Sequence, residues 1–387
     1  MVVDVDGLTA AIADEAVDGY LIDAPGSNPD QRYLSGFGGH DPFSTLATSG
    51  DVHLLVRGLE RELALENSRA DTVATPDDYE YPADAGTAAR DLSVLEQFLG
   101  DHDVGSVLVP PRFPVSTADG LRDAGIDVEP DQSGLIAEMR AVKSTEEIAH
   151  IRRTQRATER AMQRAEDMLS AAERSDVLLF EGEPLTSERL KTAITMSLLE
   201  DGCDVKDIIV ACGADAAKPH ERGSGPLRPD EPIVIDIFPW DTESHYHADM
   251  TRTFCVGAAS ETAAEWYDCT AAAQDAAFDT IGPGVSTTAV HDAVCDVYEA
   301  AGIPTNRSDP GTAIGFMHGT GHGVGLAVHE GPRLSTSDPT DLKPGHVVTV
   351  EPGVYDPDVG GCRLEDLVVI TADGFENLTQ YERQFEL

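Results

Sequence analysis

Four acidic residues in the C-terminal half of this 387-residue chain lie within or beside strongly apolar strand segments. They are Asp236 in IVIDIF, Asp249 before MTRTF, Glu351 after VVTV and Glu365 in RLEDLVV. A carboxylate on a buried strand is costly to desolvate unless a cation compensates it. Any one of them alone could be a solvated or salt-bridged acid, but few basic residues lie nearby in the sequence. Together the four favour a site for divalent metal ions.

Three histidines, His318, His322 and His329, lie within twelve residues of the glycine-rich segment FMHGTGHGVGLAVHEGPRLS. Glycine lets the backbone approach a site closely. One imidazole with four carboxylates is typical of two hard or borderline divalent ions, not of a closed structural zinc site. Two ions about 3.5 to 4 Å apart can hold a bridging hydroxide that attacks a carbonyl carbon. The residues alone thus predict a dinuclear metal hydrolase with Glu351 as general base.

The formal net charge is −43, from 27 basic and 70 acidic residues. Such a surface repels a phosphate backbone, so we expect no nucleic-acid partner. No segment approaches the roughly 18 apolar residues of a membrane span, and the N-terminus lacks the positive charge of a secretory signal. We therefore expect a cytoplasmic protein with no membrane partner. The acid excess with only five lysines is typical of halophilic proteins in concentrated salt.

The pattern of elements predicts two domains. Before residue 140, short strands alternate with helices, as in GYLIDAP, the hairpin TLATSGDVHLLVRG and the helix TAARDLSVLEQFLG. Ser144 and Glu147 then form a capping box that opens a long amphipathic helix. Beyond it, two helices followed by a strand pair occur twice, the last strands being VVTVEPGVY and GCRLEDLVVI. We expect an α/β domain over 1–139 and a pseudo-symmetric α+β domain with a shared cleft over 140–387.

The ordered series D…D…H…E…E resembles the pita-bread metallopeptidases of family M24, which include methionine aminopeptidase, Xaa-Pro aminopeptidase, prolidase and creatinase. It runs through DIFPWDTESHYHADMTRTF, HGTGHGVGLAVHE, TVEPGVY and GCRLED. The N-terminal part resembles the creatinase-type domain through DGYLIDAP and YLSGF. That domain argues against methionine aminopeptidase, and five filled ligand positions argue against creatinase. Within the family, the chain resembles an archaeal-type halophilic Xaa-Pro peptidase.

The resemblance implies a role for each matching residue. The metal ligands would be Asp236, Asp249, His322, Glu351 and Glu365, with Asp249 and Glu365 as bridging carboxylates. Glu351 would also take a proton from the metal-bound water and return it to the leaving amine. His318 and His329 would contact the scissile amide or its oxyanion. His220, in AAKPHERG, matches a histidine that flanks the substrate cleft in prolidases, although a surface histidine in a polar turn is the alternative.

Two arginines have two interpretations each. Arg363 matches the arginine of the family motif GxRxE, where it would orient a ligand carboxylate or contact substrate; we expect it on the same strand face as Glu365. Arg333 matches an arginine that binds the free carboxylate of a dipeptide in prolidases, which favours a dipeptidase. Pairing with one of the many acids is the alternative for Arg333.

One segment departs from the family pattern. The connection between Asp236 and Asp249 is two residues longer than the common spacing, and it carries Trp240, His245 and His247. Both aspartates can face one side if the extra residues bulge into the turn. We expect His245 and His247 to be solvent or cleft-rim groups and not additional ligands.

These observations predict a metallopeptidase that hydrolyses the Xaa-Pro bond at the N-terminus of dipeptides or short peptides. We expect two divalent ions, with manganese first and cobalt, zinc or iron as alternatives, a small peptide substrate and a homodimer. Xaa-Pro dipeptidase and Xaa-Pro aminopeptidase both remain open. A related C–N hydrolase of the ectoine-hydrolase or creatinase kind is the alternative on the same fold. A non-catalytic binding module predicts broken ligand positions, and none is broken.

Overall fold

The computed structural model describes residues 5–81, 84, 86–337 and 339–387. The chain separates into two compact units, residues 1–140 and 141–387. Within the described residues, no helix combines the length and the apolar character that crossing a bilayer requires. The predicted boundary at 139/140 stays our proposal for the domain division.

The N-terminal unit is built on a six-stranded sheet with the order β4-β3-β2-β1-β5-β6. Its elements are α1 (Val5–Asp14), β1 (Gly19–Ala24), α2 (Pro29–Ser35), β2 (Phe43–Ala47), β3 (Val52–Leu55), α3 (Arg61–Asn67), β4 (Thr72–Ala74), α4 (Thr87–Asp101), β5 (Ser106–Val109), α5 (Val115–Asp123), β6 (Asp127–Pro130) and α6 (Leu135–Ala141). Only β2 runs against its neighbours, since β1 pairs with β5, β3 with β4 and β5 with β6 in parallel. The predicted hairpin around residues 49–51 is confirmed as the β2–β3 turn.

The C-terminal unit begins with the long helix α7 (Thr145–Ser170). The predicted capping box is present, because Glu147 N–H donates to Ser144 Oγ (3.3 Å) while Ser144 N–H donates to Glu147 Oε2 (2.8 Å). These bonds satisfy two backbone donors that the first helical turn leaves without partners. The buried face of α7 then packs against α8 (Ser187–Glu200) and the strands that follow.

Each half of this unit places a helix pair against a sheet. The first half contains β7 (Glu173–Arg174), β8 (Leu178–Phe180), β9 (Glu183–Pro184), β10 (Cys203–Asp204), β11 (Ile208–Cys212), β12 (Ile233–Ile237), β13 (Trp240–Asp241) and β14 (Met250–Phe254). The second contains α9 (Glu261–Thr280), α10 (Thr287–Ala300), β15 (Gly321–Gly323), β16 (Glu330–Leu334), β17 (Val347–Val350), β18 (Gly353–Asp356), β19 (Gly360–Arg363), β20 (Asp366–Ile370) and β21 (Phe375–Asn377). The sheets are β11-β12-β14 and β16-β15-β17-β20-β21.

Two sequence segments that we predicted as single strands are each divided in the structure. VVTVEPGVY becomes β17 and β18, and GCRLEDLVVI becomes β19 and β20, with the two parts of each in different sheets. Pro352 explains the first break, because it has no N–H for the ladder. The N–H groups of Glu351 and Glu365 instead donate to Thr320 O and Thr251 O. Our expectation that Arg363 and Glu365 share one strand is therefore wrong.

Candidate metal centre

The antiparallel hairpin of β12 and β14 places two of the predicted ligands on one face. Its register runs without a shift from Ile233↔Phe254 to Ile237↔Met250, and the same offset reaches the isolated pair Trp240↔His247. Side chains alternate along a strand, so Asp236 and Asp249 point to the same side. The hairpin continues from there up to a turn at residues 242–245. The two aspartates thus share one face without the bulge that we considered for this connection.

His322 lies in β15, where the chain needs glycine on both sides of it. A Cβ at Gly321 would lie 1.9 Å from Thr349 O, and one at Gly323 would lie 2.1 Å from Gly331 O. His322 Nδ1 is 3.2 Å from Gly323 O, a pure acceptor, so this nitrogen carries the proton. Burial lowers the pKa of His322 to about 4, which keeps the ring neutral near pH 7. Its Nε2 atom then presents a lone pair to the acidic residues.

The acids converge on this lone pair. Ligand atoms of Asp249, His322 and Glu365 all lie within 4.8 Å of one another. His322 Nε2 is 3.7 Å from Asp249 Oδ2 and 3.4 Å from Glu351 Oε1. A lone pair facing two carboxylates is repulsive unless a cation lies between them. The five residues predicted as ligands are thus brought to one place, with Asp236 joining through its charge on Asp249 and Glu365.

Burial makes this arrangement expensive without metal. Asp249 and Glu365 are 4% and 2% exposed, and burial first, then the neighbouring carboxylates, raises the pKa of each well above its usual value. Buried oxygens of Asp236 (Oδ1), Asp249 (Oδ1) and Glu365 (Oε1) have no hydrogen-bond partner among the described residues. Unpartnered carboxylate oxygens beside an imidazole lone pair fit divalent ions well. The residues present therefore fit the metal centre that the sequence predicted.

Arg363 contacts this cluster through Asp236. Its Nη2 donates to Asp236 Oδ2 (2.7 Å), and its Nε donates to Thr251 Oγ1 (3.2 Å). Thr251 Oγ1 in turn donates to Glu365 Oε2 (2.7 Å). One guanidinium and one hydroxyl thus hold two of the carboxylates in place. Thr251 was not among our predictions, although its position two residues after Asp249 on a strand was a signal for it.

His318 is held in one tautomer by its neighbours. Its Nδ1 donates to Gly319 O (2.7 Å), because a carbonyl can only accept. Arg363 Nη1 donates to Tyr355 Oη (3.0 Å), which directs the phenol proton to His318 Nε2 (2.9 Å). Burial lowers the pKa of His318 to about 3, so the ring is neutral. Both ring nitrogens of His318 are therefore engaged within the protein. Tyr355 was missed in the sequence, where only its place in EPGVY hinted at the site.

The remaining predicted residues surround the cluster. The His329 ring meets the His322 ring edge-on, with centroids 4.3 Å apart. Arg333 lies directly opposite His322 in the β15–β16 ladder, so both side chains point to the same face. Burial, followed by the charges of His322 and Arg333, lowers the pKa of His329 to about 4, and His220 contributes in the same direction. His220 itself is exposed.

The two histidines of the lengthened hairpin differ from one another. His245 is in the turn, with a φ of 63°. His247 is half-buried, lies 5.8 Å from the Trp240 ring and donates its N–H to Gly325 O (2.8 Å). Burial lowers the pKa of His247 to about 4. His247 therefore contacts the loop that carries His329.

Comparison with known proteins assigns the two parts of this chain to described families. A model described as creatinase/prolidase N-terminal domain matches residues 5–142, and one described as metallopeptidase family M24 matches residues 149–372. The Xaa-Pro dipeptidase of Pyrococcus horikoshii is 28% identical over 371 residues, which are 95% of this chain and 94% of that protein. The Xaa-Pro dipeptidase of Pyrococcus furiosus is 32% identical over 65% of this chain and 66% of its own length.

Solved structures agree with this assignment. The prolidase from Pyrococcus horikoshii superposes with a TM-score of 0.81 at 26% identity, over 98% of this chain and 99% of that chain. The Xaa-Pro dipeptidase from Bacillus anthracis has the same fold, with a TM-score of 0.83 at 22% identity over 99% of both chains. Both the fold that we predicted, a creatinase-type domain followed by a pita-bread domain, and the family are confirmed. The chain belongs to metallopeptidase family M24.

Proposed function

We propose that this metal-dependent peptidase hydrolyses the Xaa-Pro bond, and that its preferred substrate is the free dipeptide. The observation that carries the proposal is the cluster of Asp249, His322 and Glu365, in which an imidazole lone pair and buried carboxylates face one another. The relatives that match almost the whole chain are named Xaa-Pro dipeptidases and prolidases, which supports the substrate.

The five predicted ligands would hold two divalent ions, and manganese is our first expectation. When bound, the ions polarise the scissile carbonyl and make a water molecule nucleophilic near neutral pH. Arg363 would keep Asp236 in its ligating orientation through the 2.7 Å bond. The support of a ligand by a fixed hydrogen-bond partner is a general feature of metal sites.

Glu351 is suited to move the proton during hydrolysis. Burial raises its pKa to about 7, while the charge of Arg363 opposes that rise. This value belongs to the metal-free protein; bound divalent cations favour the ionised carboxylate, which is the form that accepts a proton. In the proposed mechanism a Glu351 oxygen accepts a proton from the attacking water and delivers it to the proline nitrogen as the bond breaks.

His329 and His318 would stabilise the substrate at the scissile bond. The neutral His329 ring offers an N–H beside His322, where negative charge develops on the carbonyl oxygen. His318 can reach substrate only if one of its present bonds, to Gly319 O or to Tyr355, is exchanged. We therefore propose His329 as the donor that needs no rearrangement.

We propose that Arg333 makes the enzyme selective for the length of its substrate. It shares a face with His322, and a guanidinium binds a carboxylate through two parallel hydrogen bonds. In an Xaa-Pro dipeptide the free carboxylate belongs to the proline itself. In a longer peptide the free carboxylate lies at least one residue further from the scissile bond. A guanidinium that binds the carboxylate of the proline would favour the dipeptide over an otherwise equal tripeptide. His220 would line the same cleft.

The test compares an Xaa-Pro dipeptide with the same sequence extended by one residue. Chelator-treated protein is titrated with manganese, cobalt, zinc and iron in molar salt, and hydrolysis of both substrates is followed. We expect metal-dependent cleavage of both at the Xaa-Pro bond, with the higher kcat/KM for the dipeptide. The absence of cleavage with every metal would refute the peptidase proposal. A higher kcat/KM for the tripeptide would instead assign the chain to the aminopeptidases.

Two broader proposals accompany this function. We propose that the protein works in the cytoplasm of a salt-accumulating cell, because its charge is −43. We also propose that it forms a homodimer, as the resemblance implies. Size-exclusion chromatography with light scattering in molar and dilute salt tests the second proposal directly.

A further inference from the structure

A buried ion pair joins two residues that are 187 positions apart in the chain. Lys143 Nζ donates to Glu330 Oε1, and the two side chains are only 1% and 8% exposed. Lys143 also donates to Ala141 O (3.3 Å), and its backbone N–H donates to Gly345 O (2.9 Å). These bonds hold the ammonium group in the C-terminal unit, just before the start of α7.

The partner of Lys143 immediately follows His329. Glu330 is the first residue of β16, and Gly323↔Glu330 is the last pair of the β15–β16 ladder, so residues 324–329 form the loop between the strands. A Cβ at Gly325 would lie 2.4 Å from Glu330 Oε1 and 3.0 Å from Lys143 Cε. The carboxylate and the lysine stem therefore lie across this loop and rest directly on it.

We propose that the Lys143–Glu330 ion pair is a positioning device that sets the place of the His329 ring in the catalytic cleft. The loop is held from one side by this pair and from the other by the bond from His247 N–H to Gly325 O. Along the chain, His329 lies between the two attached residues, Gly325 and Glu330. This inference rests on the proposed function, in which His329 is the donor to the scissile bond.

Energetics favour a geometric role for this pair. Burial of two charges carries a large desolvation cost, and a protein with apolar residues in their place is often as stable or more stable. The buried pair is thus a weak source of stability, but it fixes one orientation of the Glu330 backbone and hence of its neighbour. We expect its removal to act on turnover through His329, with little effect on metal affinity.

The experiment is a double-mutant cycle in the metal-loaded enzyme. The variants are Lys143→Met, His329→Ala and the combination, assayed on an Xaa-Pro dipeptide together with metal affinity by calorimetry. We expect Lys143→Met to lower kcat about tenfold to a hundredfold, with KM and metal affinity changed less than about threefold. In the His329→Ala background the same substitution should leave kcat unchanged. An equal loss of kcat in both backgrounds would overturn the proposal.

Two further measurements guard against a trivial loss of fold. The double variant Lys143→Met with Glu330→Met leaves no uncompensated charge. Its kcat should be lower than that of the wild type, but the same two substitutions should not lower kcat further in the His329→Ala background. Gln155→Met removes a buried hydrogen bond to Thr379 (3.0 Å) from α7, and it should lower the melting temperature without lowering kcat. If Gln155→Met lowers kcat as strongly as Lys143→Met, the positioning role is wrong.

A spectroscopic readout separates this inference from the proposed function. The ring signals of His329 in the metal-free protein can be assigned by their loss in His329→Ala. In Lys143→Met these signals should shift or broaden, whereas those of His53 in the other unit should not. Unchanged His329 signals would overturn the inference even if the enzyme cleaves Xaa-Pro bonds. Shifted signals without any peptidase activity would support the positioning role and reject the proposed function.

Discussion

Arg363 Nη2 lies 2.7 Å from Asp236 Oδ2, and both side chains are almost completely buried. The acids around Arg363, including Tyr355, Asp236 and Glu351, hold its pKa well above the usual value despite burial. One positive charge is thus built permanently into a site that otherwise collects negative charge. The bond to Asp236 supports the proposal that Arg363 orients this carboxylate.

Removal of this guanidinium should weaken metal binding. We expect Arg363→Met to lower metal affinity and kcat/KM by about tenfold to a hundredfold each, because Asp236 loses the bond that orients it. Calorimetric titration with manganese and dipeptide assays measure both quantities. Arg152→Met is the control, since it breaks a two-bond ion pair to Glu376 with side chains 30% and 50% exposed. Equal metal affinity in Arg363→Met and wild type would contradict the role assigned to this bond.

Glu351→Gln should separate proton transfer from packing. The amide keeps the volume of the side chain but cannot accept a proton, so we expect kcat to fall by at least about a hundredfold. The kcat of the wild-type enzyme should also decline at low pH as Glu351 is protonated. Steady-state measurement of kcat from pH 5 to 8 at saturating metal checks both effects, because Glu351 is also a proposed metal ligand. A variant that retains wild-type kcat would exclude Glu351 as the base.

Arg333→Met should distinguish substrates by length. The loss of charge-assisted hydrogen bonds is worth about 1.5–3 kcal/mol, so the dipeptide KM should rise by about tenfold to a hundredfold. The KM of an Xaa-Pro tripeptide should change little, because its carboxylate lies elsewhere. A parallel loss for both substrates would make Arg333 a structural residue.

The metal-free protein should become less stable as the pH rises. Folded Asp249, Glu365 and Glu351 have raised pKa values, that of Glu351 to about 7, so folding favours their protonated forms. Ionisation of these carboxyl groups destabilises the folded state. This destabilisation is absent below the unfolded pKa values near 4, and it grows as the pH rises through the pKa values of the folded state. The increase in melting temperature on metal addition should therefore be larger at pH 8 than at pH 5. Calorimetric scans at constant salt measure this increase at both pH values. A larger increase at pH 5 would contradict the proposal that buried carboxylates form the metal site.

The N-terminal unit should respond to pH with the opposite sign. The rings of His53 and His102 are stacked with centroids 3.7 Å apart, and burial lowers the pKa of both, with the charge of His102 adding to the shift of His53. Stability from this pair is present above the unfolded pKa near 6.5 and is lost as the pH falls. His102→Leu should make the unfolding of this unit less sensitive to acid between pH 7 and 5. Denaturant unfolding at both pH values tests this, and an unchanged pH dependence would contradict it.

The carboxylates could be predicted from sequence because an acid within an apolar strand is unusual in itself. Pro352 similarly marked the strand break after Glu351, although we did not use that signal. The break at Leu364–Glu365 has no such marker, since no proline or glycine lies between Arg363 and Asp366. It becomes visible only when the ladders are seen to belong to different sheets.

Contacts between distant segments were beyond sequence reasoning for a different reason. The tautomer of His318 depends on Tyr355 and Arg363, and the place of Glu330 depends on Lys143. Each of these side chains is chemically ordinary in its own segment. Only the fold gives them partners, and a single sequence carries no signal of which partner will be met.

The unshifted register of the β12–β14 hairpin limits how this part of the protein can evolve. Side chains change face at every residue, so one residue added to a single arm would turn Asp249 or Asp236 away from the metal site. Residues added in pairs, one to each arm, keep both aspartates in place and only lengthen the ladder. The connection can therefore grow by whole rungs, or at its tip, without loss of the ligands. A loop grafted at residues 242–245 should be tolerated for the same reason.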